Sequence, residues 1–209
     1  MIPLAGLYGS TVPPLPAEVR IKLEQLLALL EKWNPRINLV APSTIQSAWS
    51  RHVEDSLQIF DLLPPGARRW CDLGSGAGFP GMVVAILAAH SHPELNVVLV
   101  EADQRKATFL QTVSRETSTP ISLIADRIEA IAPLQADVIS ARALAPLPDL
   151  CGYAARHLAV GGTALFLKGA KALAEIEAAR RTWRFDLQSH PSRTDPSAVI
   201  LEMKEIAHG

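Results

Sequence analysis

The chain has 209 residues, 48% of them hydrophobic, which is enough to bury the core of one sizeable α/β domain and excludes global disorder. Twenty Lys and Arg stand against 21 Asp and Glu, a net charge of −1, so no global field draws nucleic acid and an RNA partner must meet a local patch. The longest apolar run, Met82 to Ala89, is too short to span a bilayer, and Cys71 and Cys151 can build neither a disulfide framework nor a zinc cluster, so the expectation is a cytoplasmic protein with no membrane or metal partner.

Residues 1–17 lack a basic start and a long apolar centre, and read as a mobile arm rather than a signal peptide. Val19, Leu23, Leu26, Leu27, Leu30 and Trp33 keep the spacing of an amphipathic helix, which Asn34-Pro35 should stop. Ser43 or Thr44 caps a second predicted helix, Ile45 to Leu63, ended by Pro64-Pro65-Gly66. Together these form a helical cap over residues 18–66. Short apolar runs then alternate with helical stretches. "RRWCDL", "NVVLVE", "ISLIAD", "ADVISA" and "TALFLK" predict five strands, with helices near 80–90, 103–117, 127–132, 148–159 and 171–182. That rhythm calls for a parallel sheet covered on both faces. "FDLQSH" and "AVILEMKE" flank "PSRTDPS", the pattern of a C-terminal hairpin. The expected unit is one domain, 67–209, carrying the cap.

The turn "CDLGSGAGFPG" between the first strand and its helix reads from Gly76 as G-x-G-x-x-G and from Asp72 as D-x-G-x-G-x-G. Gly74, Gly76 and Gly78 allow a tight turn and close approach of a nucleotide cofactor. Glu101, at the end of the second strand, suits ribose hydroxyls of either NAD or S-adenosylmethionine. Two features favour S-adenosylmethionine. Asp72 places an anion that would attract an ammonium or sulfonium but repel a pyrophosphate, and no separate substrate domain follows. Beyond the third strand, Asp126-Arg127-Ile128-Glu129 offers backbone and an apolar side chain to an adenine.

"KWNPRINLV", "RHVEDSL", "CDLGSGAGFPG", "LVEADQRKATFL", "SARALAPL" and "FLKG" follow one another at the spacing of the bacterial glucose-inhibited division protein B family, the small-subunit rRNA guanine-N7 methyltransferases, which the chain resembles over about residues 30 to 170. The resemblance implies a Rossmann-like, seven-stranded, mostly parallel methyltransferase sheet using S-adenosyl-L-methionine. It also implies a target at guanine N7 in the decoding-region loop of 16S rRNA. The near-neutral charge suggests that this RNA is met folded, within the small ribosomal subunit or an assembly form, and with no obvious dimer helix the expectation is a monomer. The family's cofactor contacts fall on Gly74, Phe79, Ile128, Glu129 and Arg142, with Glu101 at the ribose. Val40 and Glu101 depart from the family's common Thr and Asp.

The residues also bear on which atom is methylated. Ser140-Ala141-Arg142-Ala143 lacks the acceptors that orient an exocyclic amine, and neither cysteine sits where a pyrimidine nucleophile must. A ribose methyltransferase's Lys-Asp-Lys-Glu set is incomplete, because Asp137 is at the wrong end of its strand. Guanine N7 has an in-plane lone pair and no proton to lose, so no acid or base is assigned, and Arg142 is given a positioning role. Asn38, Arg51 and His52 are substrate candidates that turn chemistry or structural packing would equally explain. Arg105, Lys106, Arg127, Lys168 and Lys171 form the expected RNA patch. A methyltransferase of small molecules or proteins and a non-catalytic regulator stay open as alternatives, with a dehydrogenase behind them.

Overall fold

The computed structural model describes residues 15–209, so most of the predicted arm lies outside the described residues. Seven strands form one sheet: β1 (Arg69–Leu73), β2 (Asn96–Val100), β3 (Ser122–Ile124), β4 (Ala136–Arg142), β5 (Leu158–Lys168), β6 (Trp183–Pro191) and β7 (Val199–His208). Their order is β3-β2-β1-β4-β5-β7-β6. The first five are parallel, and β7 runs antiparallel to both β5 and β6. This is the expected α/β sheet with its hairpin. From β1 the chain builds outward through β2 to β3, then returns to lay β4 on the other side of β1. That reversal opens a crevice at the carboxyl ends of β1 and β4, where such sheets hold ligands.

Side chains alternate across the strands as the pleat requires. Trp70, Leu99, Val138 and Leu165 face one core with α1 (Ala17–Ile37), α3 (Gly81–Ser91) and α4 (Gln104–Glu116). Cys71, Val100, Ile139 and Phe166 face the other, beneath α5 (Leu147–His157), to which α6 (Ala172–Ala179) adds Ala179. Burial pushes the thiols of Cys71 and Cys151 up to about 12, so both behave as packing groups.

Three helical expectations are corrected. α1 does not stop at Asn34-Pro35 but continues to Ile37, where Asn38 takes a left-handed conformation (φ 50°). Asn34 is buried and its Oδ1 accepts the Val40 N–H at 2.8 Å, so the side chain ties down the turn that follows. The continuous second helix is instead a 3₁₀ segment (Pro42–Ser47), a π-helical turn (Trp49–Glu54) and a short α2 (Asp55–Phe60). Thr44, Ser47 and Ser50 return their hydroxyls to the carbonyls of Ala41, Thr44 and Ser47, and such back-bonding competes with α-helical winding. Residues 127–132 form a turn closed by Ala130 N–H to the Arg127 carbonyl, with Asp126 accepting the Arg127 N–H and Pro133 barring extension. No helix among the described residues is long and apolar enough to cross a membrane.

Candidate functional site

The glycine turn after β1 sits in the crevice and is tied to β2. Glu101 accepts the Gly76 N–H at 2.7 Å and the Asp103 N–H at 2.8 Å, while the Ser75 N–H reaches the Val100 carbonyl at 3.0 Å. Gly76 has φ +54°, and a Cβ there would meet nothing nearer than the Gly74 carbonyl at 3.7 Å, so this position faces open space. Gly81 is needed for the opposite reason. A Cβ there would come within 2.5 Å of both Asp72 Oδ2 and Leu99 Cδ2.

Asp72 therefore lies beneath the turn and is not among the residues lining the cavity. It is 1% exposed and accepts a hydrogen bond from Ser140 Oγ at 2.6 Å, and that serine accepts Trp70 Nε1–H at 2.8 Å. Burial raises its carboxyl to about 6 against the lowering effect of Ser140. Its work is to brace the turn and the start of α3.

Above the turn is a cavity of about 630 Å³, within the range of small-molecule sites. Gly74, Gly76, Phe79, Lys106 and Arg142 line it from the sheet side, and Arg51 and His52 from the π-helical turn. The Phe79 ring is held between two partners: His52 stacks on it at 5.1 Å, and the Arg142 guanidinium carbon lies 5.2 Å from its centroid. Burial first, then the Arg142 and Arg51 charges, lower His52 to about 4, so the ring is neutral. Its Nε2 lies 3.0 Å from Thr44 Oγ1.

Asp55 joins three elements at this point. Its Oδ2 meets Arg142 Nη1 at 3.5 Å, while its Oδ1 accepts from Gln58 at 3.0 Å, Thr194 at 3.1 Å and Ser192 at 3.4 Å. Arg142 also donates to the Arg51 carbonyl at 3.3 Å. Burial lowers the Arg142 pKa from its ordinary value and the Asp55 charge opposes that, leaving a positioned cation. Asp55 and Arg142 also line a second cavity of about 460 Å³ over the ends of β4, β5 and β7.

The other predicted residues do not line this first cavity. Gly78 turns toward Met82, and Glu101 stands behind the turn that it anchors. Ile128 is buried on the α5 side with its carbonyl 3.1 Å from His157 Nε2, and Glu129 accepts the Tyr153 hydroxyl at 2.7 Å. Asn38 ends α1 and delivers Leu39–Ala41 to the cavity wall. Arg105 pairs with Asp103 at 3.1 Å and Arg127 with Glu129 at 3.7 Å, both exposed. The Lys168 side chain is 9% exposed, with Nζ 2.7 Å from both the Ala145 carbonyl and Glu175 Oε2. Sequence reasoning missed the hairpin turn, whose Thr194, Asp195 and Pro196 line the first cavity, and Glu175 in the second. "PSRTDPS" signalled a turn but not its destination.

A family model described as rRNA small subunit methyltransferase G matches residues 20–197. A ribosomal RNA small subunit methyltransferase G from Cereibacter sphaeroides (strain ATCC 17023) is 55% identical over 191 residues, covering 91% of this chain and 93% of that one. The protein of the same name from Paramagnetospirillum magneticum is 51% identical, covering 87% and 86%. Solved structures similar in fold include cofactor-bound Rv0187 from MTB (TM-score 0.57, 17% identity, 92% of this chain and 98% of that one). Another is PH0226 from Pyrococcus horikoshii (TM-score 0.60, 8% identity, 85% and 98%).

Proposed function

The chain belongs to the rRNA small subunit methyltransferase G family and is an rRNA methyltransferase, and from that premise we propose that it uses S-adenosylmethionine to methylate N7 of a guanine in the decoding-region loop of 16S rRNA. The observation that carries this reading is the placement of Arg142 on the wall shared by two cavities, one over the glycine turn and one over β4, β5 and β7.

The residues fit the cofactor. At the carboxyl edge of the sheet the order β3-β2-β1-β4 sets out Ile128 and Glu129, then Glu101, then Gly74 and Gly76, then Arg142. Adenine, ribose and methionine moiety match that row in turn. Glu101 uses one acceptor site on each oxygen for the Gly76 and Asp103 amides and retains others for ribose hydroxyls. The open Cβ position of Gly76 is the cradle. Bound there, S-adenosylmethionine supplies an electrophilic methyl group.

The target base takes the second cavity. N7 of guanine carries a lone pair and no proton, so the protein aligns the base and excludes water rather than moving a proton. Asp55, the His52–Phe79–Arg142 stack and the hairpin turn hold the Arg142 guanidinium in place, ready to donate to guanine O6. The product ring is cationic, so Arg142 acts by direction and not by charge. The near-zero net charge supports a folded RNA substrate, presented in a small subunit or an assembly form in the cytoplasm. The exposed large apolar side chains Ile21, Val160 and Leu173 are scattered, which supports a monomer.

The test is labelled methyl transfer to small subunits from cells lacking this protein, followed by nucleoside mass spectrometry. A 7-methylguanosine signal at one 16S site is expected. Incorporation at another atom, or none in subunits and free rRNA alike, overturns the reading.

A further inference from the structure

We propose that Glu175 reads the Watson–Crick edge of the target guanine, an inference that rests on the guanine-N7 reading and extends it to base selection. The cavity over β4, β5 and β7 has a cation, Arg142, where it meets the first cavity, and carries Glu175 from α6. One oxygen of Glu175 is engaged: Oε2 accepts the Leu147 N–H at 2.8 Å and Lys168 Nζ at 2.7 Å. Oε1 accepts no hydrogen bond among the described residues, and the side chain is 26% exposed. Asp55, also on this cavity, has no such vacancy, since Gln58, Ser192, Thr194 and Arg142 occupy both of its oxygens.

Guanine presents, in order around its edge, the acceptors N7 and O6 and then the donors N1–H and N2–H₂. With N7 turned to the first cavity, O6 comes to Arg142, and the two donors continue toward the carboxylate. Adenine reverses the sequence, setting an amino group against the guanidinium and a lone pair against Glu175. A site built on buried polar partners rejects such a mismatch because those partners are left unpaired. Lys168 neutralises the carboxylate and fixes which oxygen faces the base.

The substitution Glu175→Gln is informative because Leu147 N–H and Lys168 require an acceptor at Oε2. The amide oxygen must take that place, and its NH₂ then confronts the guanine donors. The test uses the full chain on reconstituted small subunits carrying guanosine or inosine at the target position. Inosine lacks only the N2 amino group. For the wild-type chain inosine is expected to lower kcat/KM about tenfold, and Glu175→Gln to lower it about ten- to a hundredfold on guanosine. Cofactor affinity is expected to stay unchanged. The two changes together are expected to cost little more than the variant alone, the coupling that marks a direct contact. If Glu175→Gln lowers the melting temperature, Glu175→Asp, which keeps the charge but withdraws Oε1, must show the same coupling. Independent, multiplying effects overturn the role of Glu175, as does a wild-type chain indifferent to inosine. Absence of 7-methylguanosine from the wild-type chain on guanosine subunits overturns the underlying reading as well.

Discussion

Asp72 is a carboxyl with almost no access to water, and burial raises it from 3.8 to about 6, while burial together with Arg142 and Arg51 lowers His52 from 6.5 to about 4. The two groups lie on opposite sides of the glycine turn and act oppositely on stability. The folded state holds the Asp72 proton more tightly than the unfolded chain does. That contribution is present below pH 3.8 and is lost as pH rises through 6, a change of about 3 kcal/mol for a shift of this size. His52 is held neutral, so its contribution is present above 6.5 and is lost as pH falls toward 4. The wild-type curve between pH 4 and 6.5 is therefore expected to be flatter than either variant's. His52→Phe, which keeps a ring against Phe79, should lose stability as pH rises. Asp72→Asn should gain it. Denaturant titrations across this range check both slopes, and parallel curves for all three chains would mean that neither group is shifted.

The strand-turn-helix element places four glycines within eight residues, and they do different jobs. Gly81→Ala pushes a methyl group into Asp72 and Leu99, overpacking expected to lower stability by about 1–3 kcal/mol while leaving the Gly76 face open. Gly76→Ala meets no protein atom closely. It strains a left-handed residue by about 1 kcal/mol and fills ligand space, so calorimetry should show cofactor affinity lost from a chain that still folds. The motif was legible in the sequence because G-x-G-x-x-G between a strand and a helix has few other uses, but which glycine faces ligand depends on Leu99 and Asp72, contacts set by the sheet. The alternating strands were legible for a similar reason: period and length both agreed. The segment from Pro42 to Phe60 was not, because its apolar spacing is helical while its Ser and Thr hydroxyls compete for backbone carbonyls, and periodicity does not register that competition. Nor was the hairpin turn at Asp55 or the open oxygen of Glu175. The first depends on Asp55 meeting Thr194 and the second on Leu147 meeting Glu175, pairings more than twenty residues apart.

Over the whole molecule, part of the positive charge is locally compensated, while Lys171 and several arginines remote from the cavities have no ion pair among the described residues. Arg105 pairs with Asp103, Arg127 with Glu129 and Arg193 with Asp61, all at the exposed surface. Lys168 is withdrawn into the pair with Glu175. A phosphate approaching these arginines must displace a carboxylate, so few of them release counterions fully. Arg51 and Lys106 differ: both line the first cavity, and no ion pair engages either among the described residues. The dependence of kcat/KM on salt is accordingly expected to be shallow, a log–log slope of about −1 to −2, the value for two or so phosphate contacts to unpaired RNA. Arg51→Ala and Lys106→Ala should each flatten that slope by about 0.7 without altering the preference for guanosine over inosine, because phosphate contacts position the strand and do not read the base. Arg127→Ala should leave the slope almost unchanged. A steep slope that Arg127→Ala and Arg105→Ala reduced instead would move the RNA path toward the β2 and β3 ends and away from the cap. The same titration series on guanosine and inosine subunits thus separates the residues that seat the RNA from the one that selects the base.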